Sequence, residues 1–265
     1  MTIPTDNETA TDVFYRIHLR VRDSVGNVTE TTRDLLPRTS TAKLATLPSG
    51  WPLTLDGQPV TTPLTFPGVV GVQRVLGAPP QTVNGRNWVM DSWEGGSTAT
   101  ERAVPMATGT VTYTALYRVD GGSVGTGTGL SGTYFATNAF TSPVLTRVDR
   151  SPFITWTGAP APGVPANGFS VRWTGQLQGQ FTGTHTLYLK GDDRARVWLG
   201  GTKILDTFAA PTTAEVTATV ALTAGQRYPL VIELADDSGT AKLSLKWSRA
   251  TMLPKSVIPG TQLYP

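Results

Sequence analysis

The residues best placed to do chemistry are two adjacent acids, Asp192 and Asp193, which lie between a strand-like run ending at Lys190 and another carrying Val197. Neighbouring carboxylates repel each other unless something neutralises them, and along an extended backbone successive side chains point to opposite faces. Both acids can address one ion only if the backbone between them departs from a strand. Hydrolysis of a glycoside needs two carboxylates about 5–10 Å apart across a cleft, whereas adjacent acids in one loop have the look of cation ligands. The rest of the inventory is thin. There is no Cys, and the two His residues, His18 and His185, each sit in a strand-like run and read as a solvated strand residue and a buried cross-strand residue. No Ser-His-Asp set, His-rich metal spacing or phosphate loop is present, so no catalytic residue is assigned and the chain is read as a non-enzyme.

The elements that must hold these acids are strands. In 265 residues there are 28 Gly and 20 Pro, and charged residues make up only 15%, against about 25% in an average soluble protein. Gly and Pro interrupt helices, while Val, Thr, Tyr and Trp favour pleated surfaces, so the fold class is all-β. The net charge is +3, from 22 basic and 19 acidic residues with no basic block, which excludes a nucleic-acid partner read through phosphates. No apolar run approaches the roughly 20 residues of a membrane span, so no membrane segment is expected. Absence of Cys fits an exported module and equally a cytosolic protein, so it does not fix the compartment. The start at Met1 shows no leader pattern, and the chain is read as part of a longer secreted or cell-surface protein.

Four segments separate by pattern. In residues 1–38, Tyr15, Ile17, Leu19 and Val21 alternate with polar residues, and a turn at Asp23–Asn27 leads to a second run, which predicts a hairpin with one buried face. Its wording, YRIHLRVRDSVGN, resembles the last two strands of a PKD-type, immunoglobulin-like domain. Residues 39–117 read as a small β module with a turn at Asp56-Gly57. The words Trp93-Glu94-Gly95-Gly96 and Tyr113-Thr114-Ala115-Leu116-Tyr117 resemble small β repeats of bacterial surface proteins, with Trp93 in the core. The two segments together resemble tails of secreted sugar dehydrogenases, so a parent enzyme or surface protein in cis is an expected partner. Residues 118–129 belong to a stretch in which six of the twelve residues from Gly121 to Gly132 are Gly, which predicts a flexible linker.

Residues 130–265 alternate as a sandwich does. Phe169, Val171 and Trp173 face one way and Ser170, Arg172 and Thr174 the other; Leu187 and Leu189 alternate with Thr186, Tyr188 and Lys190; Leu243, Leu245 and Trp247 alternate with Lys242, Ser244 and Lys246. Trp156, Trp173, Trp198 and Trp247 are expected in the core. The ordered words GLSGTYF from Gly129, FSVRWTG from Phe169, GTHTLYL from Gly183, GDDRARVWLGG from Gly191, LTAGQRYPL from Leu222 and AKLSLKW from Ala241 resemble the PA14 domain, a lectin-like β-sandwich. The whole is thus read as tandem small β modules followed by a PA14-type β-sandwich.

That resemblance implies a function and a site. In sugar-binding PA14 adhesins the pair equivalent to Asp192 and Asp193 is joined by a cis peptide and holds Ca²⁺, a hard ion that takes six to eight oxygen ligands, with further ligands from a later loop. Here that loop corresponds to Asp236-Asp237-Ser238-Gly239, which also reads as a plain turn. The implied metal ligands are Asp192, Asp193, Asp236 and Asp237, and the implied carbohydrate contacts are Asp192, Asp193 and Asp237. Asp206 lies in a word common in the family without a place relative to the ion. Arg194 stands where the family has Gly, which leaves three outcomes open: an altered loop, a pair with one carboxylate, or loss of Ca²⁺. The implied function is a Ca²⁺-dependent carbohydrate-binding accessory or adhesin module for a glycan or polysaccharide. The alternative is a structural or protein-interaction spacer with a degenerate ion site.

Overall fold

The computed structural model describes residues 10–212 and 214–265. Regular structure among them is strand throughout, apart from one 3-10 turn at Gly260–Gln262. No helix among the described residues is long and apolar enough to cross a membrane. The chain divides into two compact units, one running to Ala45 and adding Pro52–Gly77 and Glu101–Tyr113, the other made of Thr46–Trp51, Ala78–Thr100 and Thr114–Pro265.

The first unit opens with the expected hairpin, Tyr15–Arg22 against Val28–Leu35. Its burial differs from the expectation. Tyr15, Ile17, Leu19, Val21 and Leu35 share one face of the ribbon yet are 38–57% exposed, because two strands alone have no second layer to cover them. The other face carries charge pairs, Arg16 with Asp34 at 2.7 Å and His18 Nδ1 with Glu30 Oε1 at 2.7 Å, so His18 is a solvated strand residue. A four-stranded sheet follows in the order Glu101–Pro105, Gln73–Gly77, Pro52–Leu55, Gln58–Thr61. Its hairpin turns at Asp56 and Gly57, both in the left-handed region, as the sequence predicts.

The second unit contains the sandwich. One sheet runs Pro143–Asp149, Leu130–Phe135, Ser170–Gln178, Arg227–Ala235, Arg194–Leu199, Thr202–Asp206, with Leu263–Tyr264 added beside Ser170–Gln178. The facing sheet runs Phe153–Trp156, Ala241–Arg249, Gly183–Asp192, Val216–Leu222, with Leu253–Val257 added beside Ala241–Arg249. Alternate residues interdigitate between them: Val171, Leu187, Leu189, Ala195, Val197, Ile232, Leu234, Leu245 and Trp247 are all buried, as two packed antiparallel sheets require. Trp173 and Trp93 are core residues as expected, whereas Trp156 and Trp198 are only half-buried. Trp198 alternates with the buried Val197 and Leu199, so it faces away from the core. His185 is buried on its strand opposite Val220, with its ring 5.7 Å from Trp247 and Nδ1 2.9 Å from the Gly183 carbonyl, and burial pushes its pKa down.

The Gly-rich segment departs most from its expected behaviour. Instead of forming a free linker it is hydrogen-bonded along its length: Ser123 N–H to the Gln180 carbonyl at 2.8 Å, Thr126 N–H to the Tyr264 hydroxyl at 2.9 Å, Gly127 N–H to the Thr261 carbonyl at 2.9 Å and Gly129 N–H to the Leu263 carbonyl at 3.0 Å. The glycines serve close approach. A Cβ on Gly127 would lie 2.0 Å from the Leu263 oxygen. Strand Arg86–Trp93 belongs to the same compact unit as the sandwich rather than to a separate 39–117 module, and Asp91 shows why. Its side chain is 2% exposed and accepts from Arg150 at 3.1 Å and from the Gly260 N–H at 3.0 Å. Removing one partner of a buried ion pair strands the other. Asp91→Ala is therefore expected to lower the unfolding free energy by about 3 kcal/mol in urea titration; a loss below about 0.5 kcal/mol would contradict this role.

Candidate functional site

The site is built where the chain changes sheets. Gly183–Asp192 is a strand of one sheet and Arg194–Leu199 a strand of the other, so Asp193 alone bridges them. Gly191 makes the corner possible, since a Cβ there would meet the Ala195 methyl at 2.6 Å. The Asp192–Asp193 peptide is cis. Beyond the corner, Thr207 pins the new strand: its hydroxyl accepts from Ala195 N–H at 2.9 Å and donates to the Ala195 carbonyl at 3.0 Å.

Strand register then brings in the second acidic pair. Arg194 lies opposite Ala235, and Ser170 lies opposite Ala235 on the other side. Asp236, the next residue, is bracketed between Phe169, whose carbonyl takes its N–H at 2.9 Å, and the Asp193 corner. Asp193 Oδ2 accepts the N–H groups of Asp237 at 2.6 Å and Ser238 at 3.1 Å. The Asp236 side chain is fully buried; the Gly168 N–H points toward it, but neither of its oxygens has a partner at full hydrogen-bond geometry. Burial pushes its carboxyl up to about 6; the charges of Asp193, Asp237 and Asp192 add to this, and the Gly168 N–H opposes it.

Two further loops close on the same end of the sandwich. Asn138 Nδ2 donates to Asp237 Oδ1 at 2.8 Å, and Asn167 Oδ1 accepts the Gly239 N–H at 2.8 Å. Arg194 resolves one of the open alternatives: its guanidinium pairs with Asp237 Oδ1 at 2.5 Å. Asp206 is occupied locally, bonded to Lys203 and to the Phe208 N–H. All four implied ligands thus lie at one corner. The donor chemistry suits a hard cation, since Asp236 presents two buried oxygens without a partner at full hydrogen-bond geometry. Among the described residues, no three acid or His side chains converge closely enough to hold a metal ion as they stand. Asn138 and Asn167 were not singled out from the sequence. Their loops approach Asp237 and Gly239 from 99 and 72 residues away, and no local pattern marks them.

A carboxyl whose pKa is raised on folding holds its proton more tightly in the folded state, so its effect on stability turns unfavourable as pH rises from about 4 through about 6. In chelator at pH 7.5, Asp236→Asn is expected to be more stable than the parent by roughly 1–3 kcal/mol, the difference vanishing near pH 4. Denaturant titrations across that range measure it. A less stable variant at pH 7.5 would mean that the Asp236 charge is already compensated.

Comparison with known proteins agrees with this architecture. The chain is 32% identical over 142 residues to the Anti-sigma-I factor RsgI3 of Acetivibrio thermocellus, a match covering 53% of this chain and 22% of that protein. It therefore spans about a fifth of the length of the curated relative it matches. An anti-sigma factor domain-containing protein from Clostridium clariflavum has the same fold, with TM-score 0.52 and 20% identity over 86% of this chain and 79% of that one. The PA14 sugar-binding domain from an RTX adhesin aligns at TM-score 0.44 and 17% identity, covering 51% of this chain and 97% of that one. The PA14 domain model matches residues 127–259, half of the sequence, and with the two-sheet sandwich and its acidic corner the chain belongs to the PA14 domain family.

Proposed function

We propose that the chain is a carbohydrate-binding accessory module of a larger secreted or cell-surface protein, with Asp192, Asp193, Asp236 and Asp237 holding Ca²⁺ and Asp192, Asp193 and Asp237 facing the sugar. The observation that carries this reading is the buried Asp236 carboxylate, whose oxygens lack a partner at full hydrogen-bond geometry and which feels the charges of Asp193, Asp237 and Asp192. A bound Ca²⁺ neutralises such a cluster and takes adjacent sugar hydroxyls as ligands, giving orientation without bond breaking. The protein's own part is positional. Asp193 ties the corner to the Asp237-Ser238 backbone, Asn167 fixes Gly239, and Asn138 and Arg194 set the direction of Asp237. A parent enzyme or surface protein in cis is part of the same proposal, and the module itself is read as non-catalytic.

The second reading, a structural or protein-interaction spacer, is favoured by one observation. Arg194 already supplies a positive charge to Asp237, as expected of a site in which a guanidinium has replaced part of the ion's role.

Thermal melts and a glycan array, each with Ca²⁺ and with chelator, separate the two. Ca²⁺ at about a hundred times its Kd is expected to stabilise the parent by about 2.7 kcal/mol. Asp193→Ala is expected to lose this stabilisation and glycan binding while keeping the parent's circular dichroism. No thermal shift at millimolar Ca²⁺ together with a blank array would leave the spacer reading. Arg194→Gly removes a charge that repels a cation, and calorimetry is expected to show Ca²⁺ binding about tenfold tighter, or about 1.4 kcal/mol. Unchanged or weaker binding would mean that Arg194 takes no part in the balance of charge.

A further inference from the structure

Arg196 and Trp198 stand on the outer face of the first sheet, since Ala195, Val197 and Leu199 fill the core. Register places Arg172, Glu233, Arg196 and Asp206 in one cross-strand row, and Thr174, Val231, Trp198 and Lys203 in the next. Glu233 faces outward, yet its side chain is only 4% exposed, because Arg172 Nε and Arg196 Nε each donate to it at 2.6 Å. Those guanidiniums are held in turn: Arg172 lies 5.2 Å from the Phe140 ring centre, and Arg196 lies 4.1 Å from that of Phe208 and 5.1 Å from that of Trp198. Beside this fixed plate is an open depression of about 240 Å³ lined by Trp198, Gly201, Pro229, Val231 and Glu233.

The lining selects the occupant. Trp198, Pro229 and Val231 form an apolar floor, which asks for a ligand with an apolar face. Glu233 is closed to a ligand by its two guanidiniums. Its part is to hold Arg196, whose side chain is 27% exposed, lies 5.1 Å from the Trp198 ring centre and offers N–H groups to hydroxyls at the ligand's edge. The depression is smaller than the roughly 300–1,000 Å³ of drug-sized pockets, which suits one ring rather than a protein helix. A pyranose has this form, with C–H groups on its face and hydroxyls around its rim. We infer that Trp198, with the Arg196 guanidinium that Glu233 holds beside it, forms a sugar-ring subsite that works without a cation. The inference rests on the carbohydrate reading for its ligand class and on nothing in the Asp192–Asp193 corner.

The test uses the full chain with ¹⁵N-labelled indoles, followed by NMR during titration with cellohexaose, xylohexaose, chitohexaose and lactose at millimolar concentration. Trp198→Phe identifies the Trp198 signal and keeps an aromatic floor. The expected result is a saturable shift of that signal with at least one sugar, present in Ca²⁺, in chelator and in Asp193→Ala. Trp198→Ala is expected to weaken the binding by about tenfold or more, on the scale of ring stacking on an aromatic side chain. Binding seen only with Ca²⁺ and lost in Asp193→Ala would overturn the subsite and leave the ion-site reading standing. A Trp198 shift without Ca²⁺-dependent binding would uphold the subsite and remove the ion-site reading. No Trp198 shift with any of the four sugars, or a shift that follows protein concentration alone, would overturn the inference.

Discussion

The chain passes from one sheet of the sandwich to the other through a single residue, Asp193, and the site depends on that constraint. A crossover this short leaves no room for a loop, so Gly191 must lie against Ala195 and the two acids are held at the seam between the sheets. The neighbouring strand ends at Ala235, opposite Arg194, which delivers Asp236 and Asp237 to the same seam. Four carboxylates from two stretches of sequence are thereby placed together by strand register rather than by loop conformation. Sites carried on strand ends are better fixed than those on free loops, because the sheet's hydrogen bonds oppose their displacement.

Charge concentrated in this way is unfavourable unless compensated, and the compensation present is partial. Backbone N–H groups serve Asp193, and Arg194 with Asn138 serves Asp237. Asp236 has only the approach of the Gly168 N–H, and burial together with the charges of Asp193, Asp237 and Asp192 raises its pKa. The outer face of the first sheet shows the opposite arrangement, a buried carboxylate matched by two guanidiniums that aromatic rings hold in place. The charge of Glu233 is thus matched within the protein, whereas that of Asp236 has no cationic side chain paired with it among the described residues.

The sandwich was largely legible in the sequence because it depends on local pattern, whereas the joining of Asp192-Asp193 with Asp236-Asp237 was implied only by the family resemblance and depends on register between distant strands. The period-two alternation around Phe169, Leu187 and Leu243 separates core from surface, and the same parity sets Trp198 on the face of Arg196, although its aromatic character suggested core. Features that depend on distant chain were not legible. Gly127 has the composition of a flexible linker, but its small size serves contact with Leu263, which only the folded chain brings near. The ribbon at Tyr15–Leu35 has the alternation of a buried face, and alternation does not reveal whether a second layer exists. Asn138 and Asn167 act through single side-chain bonds across long sequence separations, where composition carries no signal.

Arg194 pairs with Asp237 beside the other three carboxylates proposed to hold Ca²⁺, so the central question is whether they hold a cation. Crystals of the full chain grown in Ca²⁺, measured at a wavelength where calcium scatters anomalously, address it directly. A peak enclosed by the oxygens of Asp192, Asp193, Asp236 and Asp237, lost on soaking in chelator, is the predicted result. An ordered corner with no peak, and with the Arg194 guanidinium lying among the four carboxylates, would contradict it.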